Sequence, residues 1–227
     1  MVTYVQFAER LARGQLKNQS AVEDTNLGEI CPDYAASILN LTNQGLVEIS
    51  TRLPVVRKLV DLTFVDGQYL YPLVIGALAT YLDHSETEPF LDDSFVKVLD
   101  IYAADGTRHQ PNTGGHIITP VYDTLRFTAA IMDETTGIGP KVRVQYQAKY
   151  VTILEDGEIN LPPNLITALQ LWVAGRYFSD MGGKEHALVG DNYYAMFLRQ
   201  VTEDEVRNTS GTSEVEADTR FYDSGFV

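Results

Sequence analysis

Apolar residues recur at three- and four-residue spacing at both ends of the chain and at two-residue spacing in its middle. That pattern predicts helices on either side of a block of strands. Tyr4, Phe7, Ala8 and Leu11 share one helical face while Glu9, Arg10 and Arg13 lie off it, so a helix is predicted over 3–17 with Thr3 as its N-cap. Residues 18–28 are polar and read as a loop. Pro32 suits the first turn of a second helix, whose stripe is Tyr34, Ile38, Leu41, Gly45 and Ile49 and whose end is Arg52-Leu53-Pro54. Between Leu59 and Val151 the period shortens towards two. Residues 58–65 and 69–73 flank Asp66-Gly67, a two-residue hairpin signal, and Asp105-Gly106 follows the run 95–102 in the same way. Residues 125–131 and 142–151 alternate well, with a turn-rich stretch over 133–141 between them. Residues 74–82 fit either a strand or a short helix, and 108–120 read as a flexible loop.

Helical spacing returns after Asp156-Gly157. Leu161-Pro162-Pro163 starts a helix carrying Leu165, Leu169, Trp172, Val173 and Tyr177, and Met181-Gly182-Gly183 ends it. A last helix is predicted over 186–206, with Tyr194, Phe197, Leu198 and Val201 inward; the remainder to Val227 has few core formers and reads as a tail. No solenoid-type repeat is evident. Sequential strands joined by Asp-Gly turns imply antiparallel pairing, so the predicted class is α+β. The expected architecture is a helical bundle, made of an N-terminal and a C-terminal helix pair, with an inserted antiparallel β-domain and an extended C-terminal tail. Its segments are 1–58, 59–155, 156–206 and 207–227.

Composition narrows the function classes. The apolar fraction is 44% and the aromatic fraction 10%, enough for a core and too much for global disorder. No apolar run approaches the roughly 20 residues of a membrane span, so no membrane association is expected. The first ten residues do not resemble a secretory signal, and Cys31 is the only cysteine. Synthesis and folding in a cytoplasm are therefore expected. With 17 Lys and Arg against 31 Asp and Glu, the net charge of −14 argues against tight gripping of a nucleic-acid backbone. It leaves open a conduit through which DNA slides.

Catalytic patterns are absent. There is no Gly-x-Ser-x-Gly, and His84, His109, His116 and His186 have no nucleophile motif beside them. Asp83-His84-Ser85-Glu86-Thr87-Glu88 offers hard ligands, and His109 and His116 could converge with acids, but neither has a recognised metal spacing. Gly137-Ile138-Gly139 is not followed by the strand-to-helix step of a phosphate loop. The expectation is a non-enzyme with no catalytic, cofactor-binding or metal site. The aromatic clusters around Trp172, Tyr177 and Phe197 at helical spacing read as core or subunit interface.

One segment carries a resemblance. Leu161-Pro162-Pro163, then Ala168-Leu169, Trp172, Arg176 and Asp180, followed by Tyr193, Tyr194 and Phe197, resembles head-to-tail adaptor proteins of tailed bacteriophages, those of short-tailed phages in particular. That family carries a Leu-Pro helix with the pattern Ala-Leu-x-x-Tyr/Trp-x-x-x-Arg ending in Asp. The strand at 142–148, the acidic turn Glu155-Asp156-Gly157 and the segment Tyr71-Pro72-Leu73 fall in the same order. The match spans most of residues 1–206; it departs in having Trp172 where Tyr is commoner and in its long tail.

The resemblance implies a homo-oligomeric ring of about twelve copies at the capsid–tail junction of a virion. Its partners would be the portal protein, a tail or nozzle protein and a tail fibre, with double-stranded DNA passing through during ejection without tight binding. It also implies a C-terminal arm reaching the portal, which would use Phe221, Tyr222 and Phe226; composition alone fits an unstructured tail equally well. Leu169, Trp172, Tyr177 and Phe197 are the expected bundle core or interface, and Arg108, Gly114 and Gly115 the candidate lumen loop. The alternatives are another minor virion or tail-fibre attachment protein that recognises its target through the β-domain, and a metal-dependent hydrolase using His109 and His116.

Overall fold

A computed structural model of the chain describes residues 2–22, 28–65, 67–74, 79–81, 95–103, 106–121, 123–129 and 141–223, giving the backbone course for 79–81 and 208–223. The class is α+β, with antiparallel sheets and, among the described residues, four helices. The chain divides into two compact units, one formed by Met1–Leu53 with Thr152–Val227 and the other by Pro54–Val151. Both divisions fall a few residues before the positions expected from the sequence pattern.

The first unit is helical. Helix α1 (Tyr4–Arg13) starts at a capping box: Thr3 Oγ1 accepts from the Gln6 backbone N–H at 3.3 Å, and Gln6 Oε1 accepts from the Thr3 N–H at 3.4 Å. It stops at Gly14, short of the expected Lys17, and buries Tyr4, Phe7, Leu11 and Ala12. Two short strands missed in the sequence, β1 (Val2–Thr3) and β10 (Glu158–Ile159), pair antiparallel and tie the start of α1 to the Glu155–Gly157 turn. Two residues each are too few for an alternation to show.

Helix α2 (Pro32–Arg52) has Pro32 in its first turn, where a missing N–H costs nothing, and ends where Leu53 N–H reaches back to Ile49 O at 2.8 Å. Helix α3 (Pro163–Asp180) opens on the double proline and closes before Gly182 and Gly183, both at positive φ (72° and 84°). From Leu165 to Phe178 every residue of α3 is buried except Thr167 and Arg176. Instead of one broad apolar face, α3 is enclosed on nearly all sides and packs against α1, α2 and α4.

Helix α4 (Lys184–Asp223) runs well past Val206, where the sequence pattern ended it. The expected extended arm over 207–227 is therefore corrected: its backbone is helical as far as Asp223. No proline interrupts that stretch, so nothing stops the backbone ladder, whereas its lack of core formers had suggested a break. Phe221 and Tyr222 fall on this helix backbone, and Phe226 lies outside the described residues.

The second unit is β-rich. Strands β2 (Arg57–Thr63), β4 (Ala79–Tyr81), β5 (Phe95–Tyr102), β6 (Arg108–His109) and β9 (Lys141–Ala148) form a five-stranded sheet in the order β4-β2-β9-β5-β6. Strands β3 (Leu70–Pro72), β7 (Ile117–Val121) and β8 (Thr124–Phe127) form a second sheet, β3-β8-β7. All pairings are antiparallel. Central β9 alternates as its sequence predicted: Val142, Val144 and Tyr146 are buried, while Lys141 and Arg143 are exposed. Both sheets contribute to one core, which includes Val60, Leu62, Tyr71, Ile101, Leu125, Phe127 and Tyr146.

Two expectations about turns are corrected. The segment around Gly67 does not close a hairpin, because β2 pairs with β4 and β9 while β3 belongs to the other sheet. The Tyr71 hydroxyl holds that corner instead, accepting from Val65 N–H at 2.9 Å and donating to Val65 O at 3.3 Å. The Gly106 turn does close a hairpin, β5 to β6, with Ile101 opposite His109. Asp66 and Asp105 lie outside the described residues, as do 82–94 and 130–140, which contain the acidic histidine stretch and the turn-rich stretch. The second correction is the loop at 108–120, which is ordered rather than flexible. Asn112 Oδ1 accepts from Thr119 N–H at 2.9 Å, its Nδ2 donates to Thr119 Oγ1 at 2.6 Å, and its own N–H meets Ile117 O at 2.8 Å.

Candidate functional site

Helices α2, α3 and α4 bring together the residues that carry the sequence motif. Leu169 (0% exposed), Trp172 (3%), Tyr177 (6%) and Phe197 (0%) are all buried. Gly45 of α2 makes the close approach to α3: a Cβ there would lie 2.6 Å from Leu169 Cδ1 and 3.0 Å from Trp172 Cε3. Gly175 and Gly190 do the same between α3 and α4, since a Cβ on Gly190 would come within 2.8 Å of Gly175 O. Only small residues permit such backbone contact.

Aromatic rings fill the space around these glycines. Phe178 stacks on Tyr193 (5.7 Å between centroids) and on His186 (6.2 Å), and Tyr177 meets Tyr34 of α2 edge-on at 6.5 Å. The Tyr177 hydroxyl lies 3.3 Å from Ser20 Oγ. Arg176 leaves this packed region on the exposed side of α3. Its guanidinium carbon sits 5.3 Å from the Trp172 ring centroid and 5.6 Å from that of Tyr194. Trp172, Arg176 and Tyr194 thus form one cation–π group.

Polar contacts outside the motif fix the rest of the unit. Asn43 of α2 receives the Ile153 N–H on Oδ1 (2.8 Å) and gives Nδ2–H to Ile153 O (3.1 Å), so one side chain pairs with the returning chain as a strand would. Asn164 donates to Asp204, a buried residue of α4 whose other carboxylate oxygen has no partner among the described residues. Burial and the nearby Glu155 charge push the Tyr4 hydroxyl up to about 12. No sequence signal marks Asn43 or Asn164, because an amide that bonds 110 or 40 residues away looks like any surface amide.

Among the described residues the catalytic alternatives gain no assembled site. Among the described residues no group of three or more His, Cys, Asp or Glu could hold a metal ion. His109 lies in β6, His116 at the end of the Gly114-Gly115 turn, and His186 under Phe178. Arg108, expected in a lumen loop, pairs with Asp100 at 2.8 Å, and Gly114 and Gly115 both turn at φ 74°. A groove of about 380 Å³ lies beside β5, lined by Lys97, Val98, Leu99, Gln110, Pro111, Asn112 and Thr119. No helix among the described residues is long and apolar enough to cross a membrane. Compared with known proteins, the chain matches no protein-family model and no curated sequence.

Proposed function

We propose that this chain is the subunit of a head-to-tail adaptor ring, which docks under the portal of a tailed bacteriophage, joins capsid to tail and lines part of the DNA channel. The finer architecture belongs to the same reading: a helical bundle of N- and C-terminal helix pairs, an inserted β-domain, and a C-terminal arm that meets the portal. The observation that carries it is the assembly of the motif on α3. Ala168, Leu169 and Trp172 are buried, and Arg176 lies against Trp172, so the spaced residues act as one packed group. The order of elements supports it as well, since helices from both ends of the chain pack on α3 while strands occupy the middle. The protein acts by assembly rather than catalysis, and DNA passes through without being held. Mass photometry of the purified chain, alone and with its portal, tests this. A closed multimer in either sample is expected; a monomer in both would refute the ring.

A second reading keeps a specific observation behind it. The groove beside β5 places Lys97, Gln110, Asn112 and Thr119 next to apolar Val98, Leu99 and Pro111, a mixture suited to recognition by an attachment protein.

A further inference from the structure

We propose that the outer face of the five-stranded sheet is a weak, sequence-independent contact surface for the phosphate backbone of duplex DNA. This goes beyond the ring reading: it assigns the surface that DNA touches, and it stands or falls on its own measurement.

Strand register decides which side chains share that face. Asp61, Arg143, Tyr102 and Arg108 form one row across four strands, Arg57, Gln147 and Lys97 a second, and Thr63 with Lys141 a third. Opposed residues of antiparallel strands point to one side of a sheet. The other side is the core, where Val60, Leu62, Val142 and Val144 are buried. Arg57, Lys97, Arg108, Lys141 and Arg143 are all exposed. Two carboxylates lie among them: Asp61 Oδ1 is 3.2 Å from Arg143 Nε, and Asp100 Oδ1 is 2.8 Å from Arg108 Nε. Among the described residues this face therefore sets five cations against two carboxylates, on a chain whose net charge is −14.

Local composition, rather than net charge, chooses the occupant. A protein partner needs an apolar or aromatic anchor at the centre of its contact. Among the paired positions of this face only Leu59 (37% exposed) and the half-buried Tyr102 are of that kind, and the others are polar or charged. A polar, locally positive surface suits a phosphate backbone, which Lys and Arg hold without reading the bases. The two aspartates leave an excess of three cations, enough for contact and too few for a tight grip. Arg108, expected in a lumen loop, thus meets DNA from a strand.

The test is fluorescence anisotropy of a labelled duplex of random sequence over a salt series, with circular dichroism as the check on folding. Wild type is compared with the double variant Lys97→Glu, Lys141→Glu and with Arg10→Glu, Lys184→Glu, which changes the net charge equally but on α1 and α4. Wild type should bind in the range of about 10⁻⁴–10⁻⁶ M at physiological salt, with log affinity falling against log salt at a slope of about −3. The sheet variant should bind at least about tenfold more weakly, and the helix variant within about twofold of wild type. Equal weakening in both variants would overturn the proposal, since net charge and not this face would be acting. A wild type that binds no duplex even at low salt would overturn it too, and a closed ring in that sample would leave the ring reading standing. Unchanged duplex binding by the folded sheet variant, with assembly shifted to higher concentration in mass photometry, would overturn it in favour of an acidic surface of a second copy. Binding lost only in the sheet variant of a chain that never assembles would uphold this face and remove the ring reading.

Discussion

Gly45 of α2 lies directly against Trp172 of α3, close enough that a single methyl group on Gly45 would overlap the indole and the neighbouring Leu169 side chain. Both residues are buried in the first unit, and their contact sets how closely the N-terminal helix approaches the C-terminal one. The approach leads to the first expectation. Gly45→Ala gains helix propensity worth up to about 1 kcal/mol. It also forces Leu169 Cδ1 from 2.6 Å and the rigid Trp172 ring from 3.0 Å between two buried helix faces, an overpacking cost of about 1–3 kcal/mol. The net change should be destabilising, and chemical denaturation of Gly45→Ala beside wild type reads it directly. A more stable alanine variant would show that α2 and α3 can separate without loss.

Removing the other partner should cost more. Trp172→Ala deletes a side chain only 3% exposed and strips Arg176 of one of its rings. A loss of about 3–5 kcal/mol is expected from transfer energy plus the cavity left behind. Wild-type thermal stability in this variant would mean that α3 is not the centre of the unit.

Tyr4 gives a pH dependence with a definite sign. Its hydroxyl titrates near 10.0 in an unfolded chain and at about 12 when folded, because burial and then the Glu155 charge disfavour the phenolate. A raised folded value means that the stabilisation is fully present below pH 10 and is lost as pH rises through about 12. Denaturation midpoints measured over that range should fall less in Tyr4→Phe than in wild type. Equal slopes for the two proteins would contradict the assignment.

Truncation after Val206 separates folding from docking. Asp204 of α4 is bonded by Asn164 at the start of α3, an anchor that the truncated chain retains. The shortened protein should therefore fold with the wild-type thermal midpoint, with helicity per residue somewhat below wild type because 207–223 are helical, and lose portal binding in a pull-down. Wild-type portal affinity would show that 207–227 plays no part in docking.

The legible parts of this fold were those written in local chemistry. Thr3 with Gln6, Pro32, Pro163 and Gly182-Gly183 mark helix ends through bonds and dihedrals decided within a few residues. The strand β9 showed itself by alternation, because one of its faces is core. What escaped depends on distant partners. The Asp66-Gly67 signal is local, but strand pairing is decided by which edge each strand finds; β3 finds β8, and Tyr71 secures the corner. The 108–120 stretch looked mobile because Gly114-Gly115 is permissive, yet Asn112 and Thr119 close it with side-chain bonds no periodicity reveals. At the candidate site, Trp172 and Arg176 were visible as a spacing on one helix. Tyr194, which completes the group, comes from α4 and needs the Gly175–Gly190 crossing to reach it.

Electron microscopy of the purified chain mixed with its portal addresses the ring most directly. A ring of this protein stacked coaxially on the portal ring is the expected image. Portal rings without added density, at protein concentrations well above those of assembly, would contradict the adaptor function.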